Sequence, residues 1–154
     1  MTIEEYREEG FRLYGDDMAK AVEYFKKAAE GNDIVSAIVL AGYYYDEEGE
    51  HGIAAEWLEK AFKWYEDADK PEGLKDYYAV AETLMGKIIY ESISYYDFPK
   101  ATDALKHFIN AAQNGDDNAL AYIGMFFFDG YDTPDASPSY AEAFNIWKQG
   151  AEKG

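Results

Sequence analysis

Ala21-Val-Glu-Tyr-Phe-Lys-Lys-Ala-Ala29 sets a small residue at its first place, a bulky pair three and four places on, and a small residue seven places on. The same figure returns in Ala54-Ala-Glu-Trp-Leu-Glu-Lys-Ala-Phe62, in Ala104-Leu-Lys-His-Phe-Ile-Asn-Ala-Ala112 and in Ala143-Phe-Asn-Ile-Trp-Lys-Gln-Gly-Ala151. Residues at i, i+3, i+4 and i+7 share one face of an α-helix, so each stretch predicts a helix with an apolar stripe. The small residues within the stripe let a neighbouring helix come close. A period of this kind points to a repeat architecture.

Upstream of each stretch lies a second helical segment. Three of these carry Ala and Gly five apart: Ala37 and Gly42, Ala81 and Gly86, Ala119 and Gly124. The first keeps Gly10 and has Glu5 in place of the Ala. A large residue follows the Gly by three or four, as in Tyr14, Tyr45, Tyr90 and Phe127. Gly inside a helix costs about 1 kcal/mol relative to Ala. Four such placements in step predict a tight crossing of two helices, with no Cβ between the backbones. The four glycines are 32, 44 and 38 residues apart, so the loops vary while the units persist.

The punctuation agrees with this division. Gly15-Asp16-Asp17, Gly31-Asn32-Asp33, Glu47-Glu48-Gly49, Lys70-Pro71-Glu72-Gly73 and Gly115-Asp116-Asp117 are turn and N-cap signals. Tyr96-Asp97-Phe98-Pro99 puts Pro at a helix start, where its missing N–H costs little, and Asp129 to Pro138 reads as the last loop. Helices are expected at 3–14, 17–30, 33–46, 51–68, 72–93, 99–114, 117–128 and 138–153. The expected fold is all-α.

Gly115, Ala119, Ile123 and Gly124, followed by Ala143, Ile146-Trp147 and Gly150-Ala-Glu-Lys-Gly154, resemble the Sel1-like repeat, as does Ala21 through Gly31. That family is related to the tetratricopeptide repeats. The resemblance covers nearly the whole chain, less closely in the third unit, where Ser92–Pro99 departs from the pattern. It implies one repeat domain over residues 1–154, a right-handed α-α superhelix (a solenoid) of about four helix-turn-helix units at 1–31, 32–71, 72–115 and 116–154. It also implies a scaffold or adaptor that holds other proteins. The physical ground is independent of the resemblance: a helix pair cannot bury its apolar face alone and must stack on neighbours.

Composition narrows the function. The 154 residues are 48% hydrophobic and 18% aromatic, enough for a core. No Cys is present, which removes disulfides, Cys-ligated zinc and thiol nucleophiles. The first ten residues carry four Glu and lack the basic start and apolar run of a signal peptide, and no apolar stretch approaches 18 residues. A cytoplasmic location is the expectation. The net charge of −17 is spread, with −8 over 1–50, −4 over 51–100 and −5 over 101–154. Such a field repels nucleic-acid phosphates and anionic lipid, and attracts basic partners. Its plainer meaning is solubility.

By analogy with tetratricopeptide repeats, the concave face is lined by positions three before, one after and four after each repeat glycine. These are Arg7, Phe11 and Tyr14; Val39, Tyr43 and Asp46; Thr83, Lys87 and Tyr90; and Ala121, Met125 and Phe128. Aromatics and Arg are enriched in interface cores, and acidic flanks suit a peptide bearing Lys or Arg. The competing reading puts each aromatic in the core. Tyr43-Tyr44-Tyr45 and Phe126-Phe127-Phe128 bear on this choice, because three consecutive helical residues point 100° apart and one of each trio must face outward.

Catalytic and metal signals are sparse. His51 and His107 have no metal spacing; a solvated His51 and a packed helix-face His107 are expected. Asp129-Gly-Tyr-Asp-Thr-Pro-Asp135 lacks the alternating ligands and closing Glu of a calcium loop. No phosphate-binding Gly loop, nucleophile elbow or helical His pair is present. The expectation is a non-catalytic protein with no cofactor, no metal, no nucleic acid and no membrane, binding a protein or peptide. The alternative is a structural module, part of a longer array or a homo-oligomer, that self-associates through Phe144, Ile146 and Trp147.

Overall fold

The computed structural model describes residues 1–93, 98–128 and 139–152. Among them are eight α-helices and no strand: α1 (Ile3–Leu13), α2 (Met18–Ala29), α3 (Ile34–Asp46), α4 (His51–Asp67), α5 (Lys75–Glu91), α6 (Phe98–Gln113), α7 (Asn118–Phe128) and α8 (Ser139–Glu152). A 3-10 turn, Glu72–Leu74, precedes α5. Each lies within a few residues of the span its sequence predicts. The Asp129–Pro138 loop, with its faint calcium-loop pattern, falls outside the described residues, as do Tyr96, Asp97, Lys153 and Gly154.

The ends are set by local chemistry. Thr2 and Glu5 form a capping box on α1, with the Glu5 N–H donating to Thr2 Oγ1 (3.1 Å) and the Thr2 N–H to Glu5 Oε2 (2.7 Å). This is why Glu5 stands where the other units carry Ala. Asp17 caps α2 and Asp33 caps α3, each accepting from a backbone N–H three residues on. Gly15 and Gly115 turn the chain with φ of +92° and +103°. In the α2–α3 turn the left-handed residue is Asn32, at +64°, while Gly31 leaves room for the Ile3 side chain. No helix among the described residues is long and apolar enough to cross a membrane.

The chain divides into two compact units, Met1–Tyr77 and Tyr78–Gly154. In the first, α1 packs on α2, α2 on α3 and α3 on α4. Its core contains Ala21, Val22, Phe25, Ala29 and Leu40. In the second, α6 and α7 pack on each other and on α8, around Leu105, Phe108, Ile109, Ile123 and Phe126. The small residues of both stripes are buried: Ala21, Ala54, Ala104 and Ala143 on the second helices, and Ala37, Ala81 and Ala119 on the first.

The repeat glycines have a more specific role than close backbone approach. A Cβ at Gly10 would sit 2.8 Å from the Phe25 ring, one at Gly86 2.6 Å from the Phe108 ring, and one at Gly124 2.8 Å from Trp147 Nε1. Phe25, Phe108 and Trp147 occupy the same place, four after the small residue that opens each stripe. The ring of the second helix thus fills the notch that the missing side chain leaves in the first. In the remaining pair that place is Leu58, and a Cβ at Gly42 meets nothing within 4 Å. The notch is filled where a ring stands four after the small residue, and is empty at Gly42.

Candidate functional site

Within Met1–Tyr77, Arg7 and Phe11 lie one turn apart on α1 and Tyr14 is its C-cap residue, while Val39, Tyr43 and Asp46 hold the equivalent places along α3. Phe11 is 41% exposed and Tyr14 50% exposed, yet both rings present an edge contact to Phe25, at centroid distances of 5.0 and 6.4 Å. Val39 and Tyr43 are half-buried against the same core cluster. Phe11, Tyr14 and Tyr43 are thus packed on the Phe25 cluster on one side and partly exposed on the other.

The three consecutive tyrosines of α3 are all half-buried, each in its own way. Tyr43 sets its ring edge-on to Tyr44 at 5.2 Å and donates its hydroxyl to Glu48 Oε1 at 2.7 Å. That bond, with burial and the nearby carboxylates, raises the Tyr43 phenol above its ordinary value. Tyr44 lies under the Lys26 ammonium at 5.7 Å, and Tyr45 stacks on His51 at 4.6 Å. His51 is exposed, as its sequence context predicts. Asp46 is exposed at the end of α3, followed by Glu47, Glu48 and Glu50.

Within Tyr78–Gly154, the equivalent register positions are Thr83, Lys87 and Tyr90 on α5 and Ala121, Met125 and Phe128 on α7. Phe128 is 90% exposed and Met125 is exposed, whereas Phe126 is buried and Phe127 half-buried. Tyr90 is half-buried and donates its hydroxyl to the Met125 carbonyl at 3.3 Å. Lys87 places its ammonium 5.7 Å from the Tyr122 ring centroid. Ala121 is exposed.

Thr83 differs from its expected exposure. It is 7% exposed, and its hydroxyl donates to Asp116 Oδ2 at 2.6 Å. Asp116 also accepts from the Asn118 N–H at the start of α7. Arg7 has the matching arrangement in the first unit: its guanidinium donates to Asp33 Oδ1 at 2.6 Å, and Asp33 also caps α3 through the Ser36 N–H. In each unit one residue three before a repeat glycine, Arg7 or Thr83, therefore clasps its helix to an Asp at the start of the next first helix, whereas Val39 and Ala121 at the same register make no such bond. The sequence carries half of this signal, the capping Asp; the donor 26 or 33 residues upstream is invisible without the fold.

A second feature unread in the sequence is polar. Glu82 on α5 is buried; it accepts from the Tyr78 hydroxyl at 2.6 Å and pairs through Oε2 with His107 Nδ1 on α6. His107 is thus a packed helix-face histidine held by a carboxylate. Among the described residues no group of three or more His, Cys, Asp or Glu is arranged to hold a metal ion. A cavity of about 180 Å³ between α6, α7 and α8 is lined by Gln113, Asp117, Leu120, Ile146 and Gln149 among others, and Asp117 is the ionisable one.

Comparison of the chain with protein-family models, with curated proteins and with solved structures finds no match in any of the three.

Proposed function

We propose that the protein is a non-catalytic interaction module, a Sel1-like or tetratricopeptide-like stack of helix pairs that binds a protein or peptide on the first-helix faces. The observation that carries this reading is the exposure of Phe11, Tyr14, Met125 and Phe128, large apolar side chains at matching register positions of α1 and α7. Exposed apolar side chains gathered in a patch mark interaction surfaces, and aromatics dominate their energetics. The buried Ala positions, and the rings seated against Gly10, Gly86 and Gly124, support close-packed helix pairs of the kind that stack in repeat proteins.

The test is an affinity capture from source lysate with the native chain and with a Phe11→Ala, Tyr14→Ala, Phe128→Ala variant whose melt matches the native one. A protein retained by the first and lost by the second supports the reading. Equal capture by both moves the site off these faces.

A second reading, self-association, has its own observation: Phe144 is 40% and Trp147 37% exposed on α8, in the same unit as Phe128. Light scattering across a hundredfold concentration range decides it, since a strict monomer removes it.

A further inference from the structure

Residues 1–77 contain 20 Asp and Glu against nine Lys and Arg. Eight of those nine are already engaged. Arg7, Arg12, Lys20, Lys63 and Lys70 sit on carboxylates, and Lys26, Lys27 and Lys60 lie over the rings of Tyr44, Tyr6 and Tyr24, and Trp57. Asp46, Glu47, Glu48 and Glu50 have none of them: no Lys or Arg among the described residues is within ion-pair distance of these four.

Their location sharpens the imbalance. Asp46 ends α3, Glu47 is its C-cap, and no basic residue lies in its last turn. The C-terminus of a helix is the negative end of its dipole, so carboxylates there are unfavourable and a cation is favoured. On the same helix, one turn earlier, Tyr43 directs its hydroxyl proton to Glu48, leaving the carboxylate's other oxygen to accept. The partly exposed rings of Phe11 and Tyr14 stand at the corresponding C-terminal end of α1.

Resting on the interaction-module reading, we propose that the α1–α3 face docks a basic peptide, with an apolar side chain seated on Phe11 and Tyr14 and Lys or Arg meeting the carboxylates of Asp46, Glu47 and Glu48. The unneutralised charge and the open rings are two halves of one recognition surface. Apolar contact supplies affinity, and the acidic end selects charge and orients the peptide.

The test uses three fluorescent twelve-residue probes sharing a Leu-Phe centre, with flanks of Lys and Arg, of Gln, or of Glu, titrated by anisotropy against the full chain. The basic probe is expected to bind about tenfold more tightly than the Gln probe, the worth of a few exposed ion pairs together, and the Glu probe not to bind. Asp46→Asn with Glu47→Gln brings the basic probe down to the affinity of the Gln probe and raises the melting temperature. Glu23→Gln with Glu56→Gln, the same change in net charge on the second helices, leaves binding unaltered. Phe11→Ala with Tyr14→Ala abolishes binding of both probes. Equal binding of the basic and Gln probes overturns the charge inference while leaving the interaction face standing. Basic-probe binding that survives loss of Phe11 and Tyr14, or that falls equally with the Glu23 and Glu56 changes, overturns the assignment of the face. Failure of the basic probe to bind overturns the peptide class, and the lysate capture then decides separately whether the module binds protein at all.

Discussion

Gly86 lies directly against the ring of Phe108: the space that a Cβ would take on α5 is filled from α6, 2.6 Å from the nearest ring carbon. Phe108 is fully buried and also stacks on Tyr122 at 5.1 Å, so it cannot step aside. The same relation joins Gly10 to Phe25.

Four identical substitutions at the repeat glycines should therefore have three different results. Gly10→Ala and Gly86→Ala force a buried ring to move and should cost about 1–3 kcal/mol. Gly42→Ala meets nothing and should gain up to about 1 kcal/mol from helix propensity. Gly124→Ala faces Trp147, which is 37% exposed and can shift outward, so it should fall near neutral. Urea denaturation of the four variants reads the order directly.

Removing the donor of either clasp should expose the cost of an unsatisfied capping carboxylate. Thr83→Val keeps the shape and loses the hydroxyl, for about 1 kcal/mol, whereas Thr83→Ser should be close to the parent. Arg7→Met leaves Asp33, whose side chain is only 9% exposed, without its cation and should cost about 1–3 kcal/mol. Melts of the variants measure both. In a double cycle, Arg7→Met combined with Asp33→Ala should cost less than the sum of the single changes.

Glu82 should be intolerant of truncation. Glu82→Ala removes the acceptor of the Tyr78 hydroxyl and the carboxylate beside His107 Nδ1, at about 1–3 kcal/mol. Glu82→Gln keeps an acceptor for the tyrosine and should lose less. Thermal unfolding of the two variants gives the comparison.

Two phenols should titrate late. Tyr43 is raised chiefly by its bond to Glu48, and Tyr65 by burial and then by the charge of Glu72. In each case folding favours the neutral phenol. The stabilisation is therefore complete below the ordinary phenol value of about 10 and is lost as pH rises through the higher folded value. Absorbance at alkaline pH should show both ionising above the ordinary phenol value. Tyr43→Phe and Tyr65→Phe should each remove one late component and flatten the loss of stability.

Much of the fold was readable because helical periodicity is a property of neighbouring residues. The stripes beginning at Ala21, Ala54, Ala104 and Ala143 located the second helices, and the glycine register located the first. What was not readable depends on partners distant in sequence. Nothing local distinguishes Thr83, which reaches Asp116, from the exposed Ala121 at the same register position. Nor does any spacing announce that Glu82 and His107 will meet. The outward Phe of Phe126-Phe127-Phe128 was foreseeable as a necessity, though which one points out follows only once Phe126 is fixed in the core.

The ring-in-notch contact also bears on how quickly the molecule assembles. Gly10 and Phe25 are 15 residues apart, Gly86 and Phe108 are 22, and Gly124 and Trp147 are 23. Each is reached by closing one short hairpin of helices, with little chain entropy lost before the contact forms. Topologies dominated by such nearby contacts fold in microseconds to milliseconds. Each pair can thus commit to its own geometry early, and an insertion in the loop between pairs leaves that step untouched.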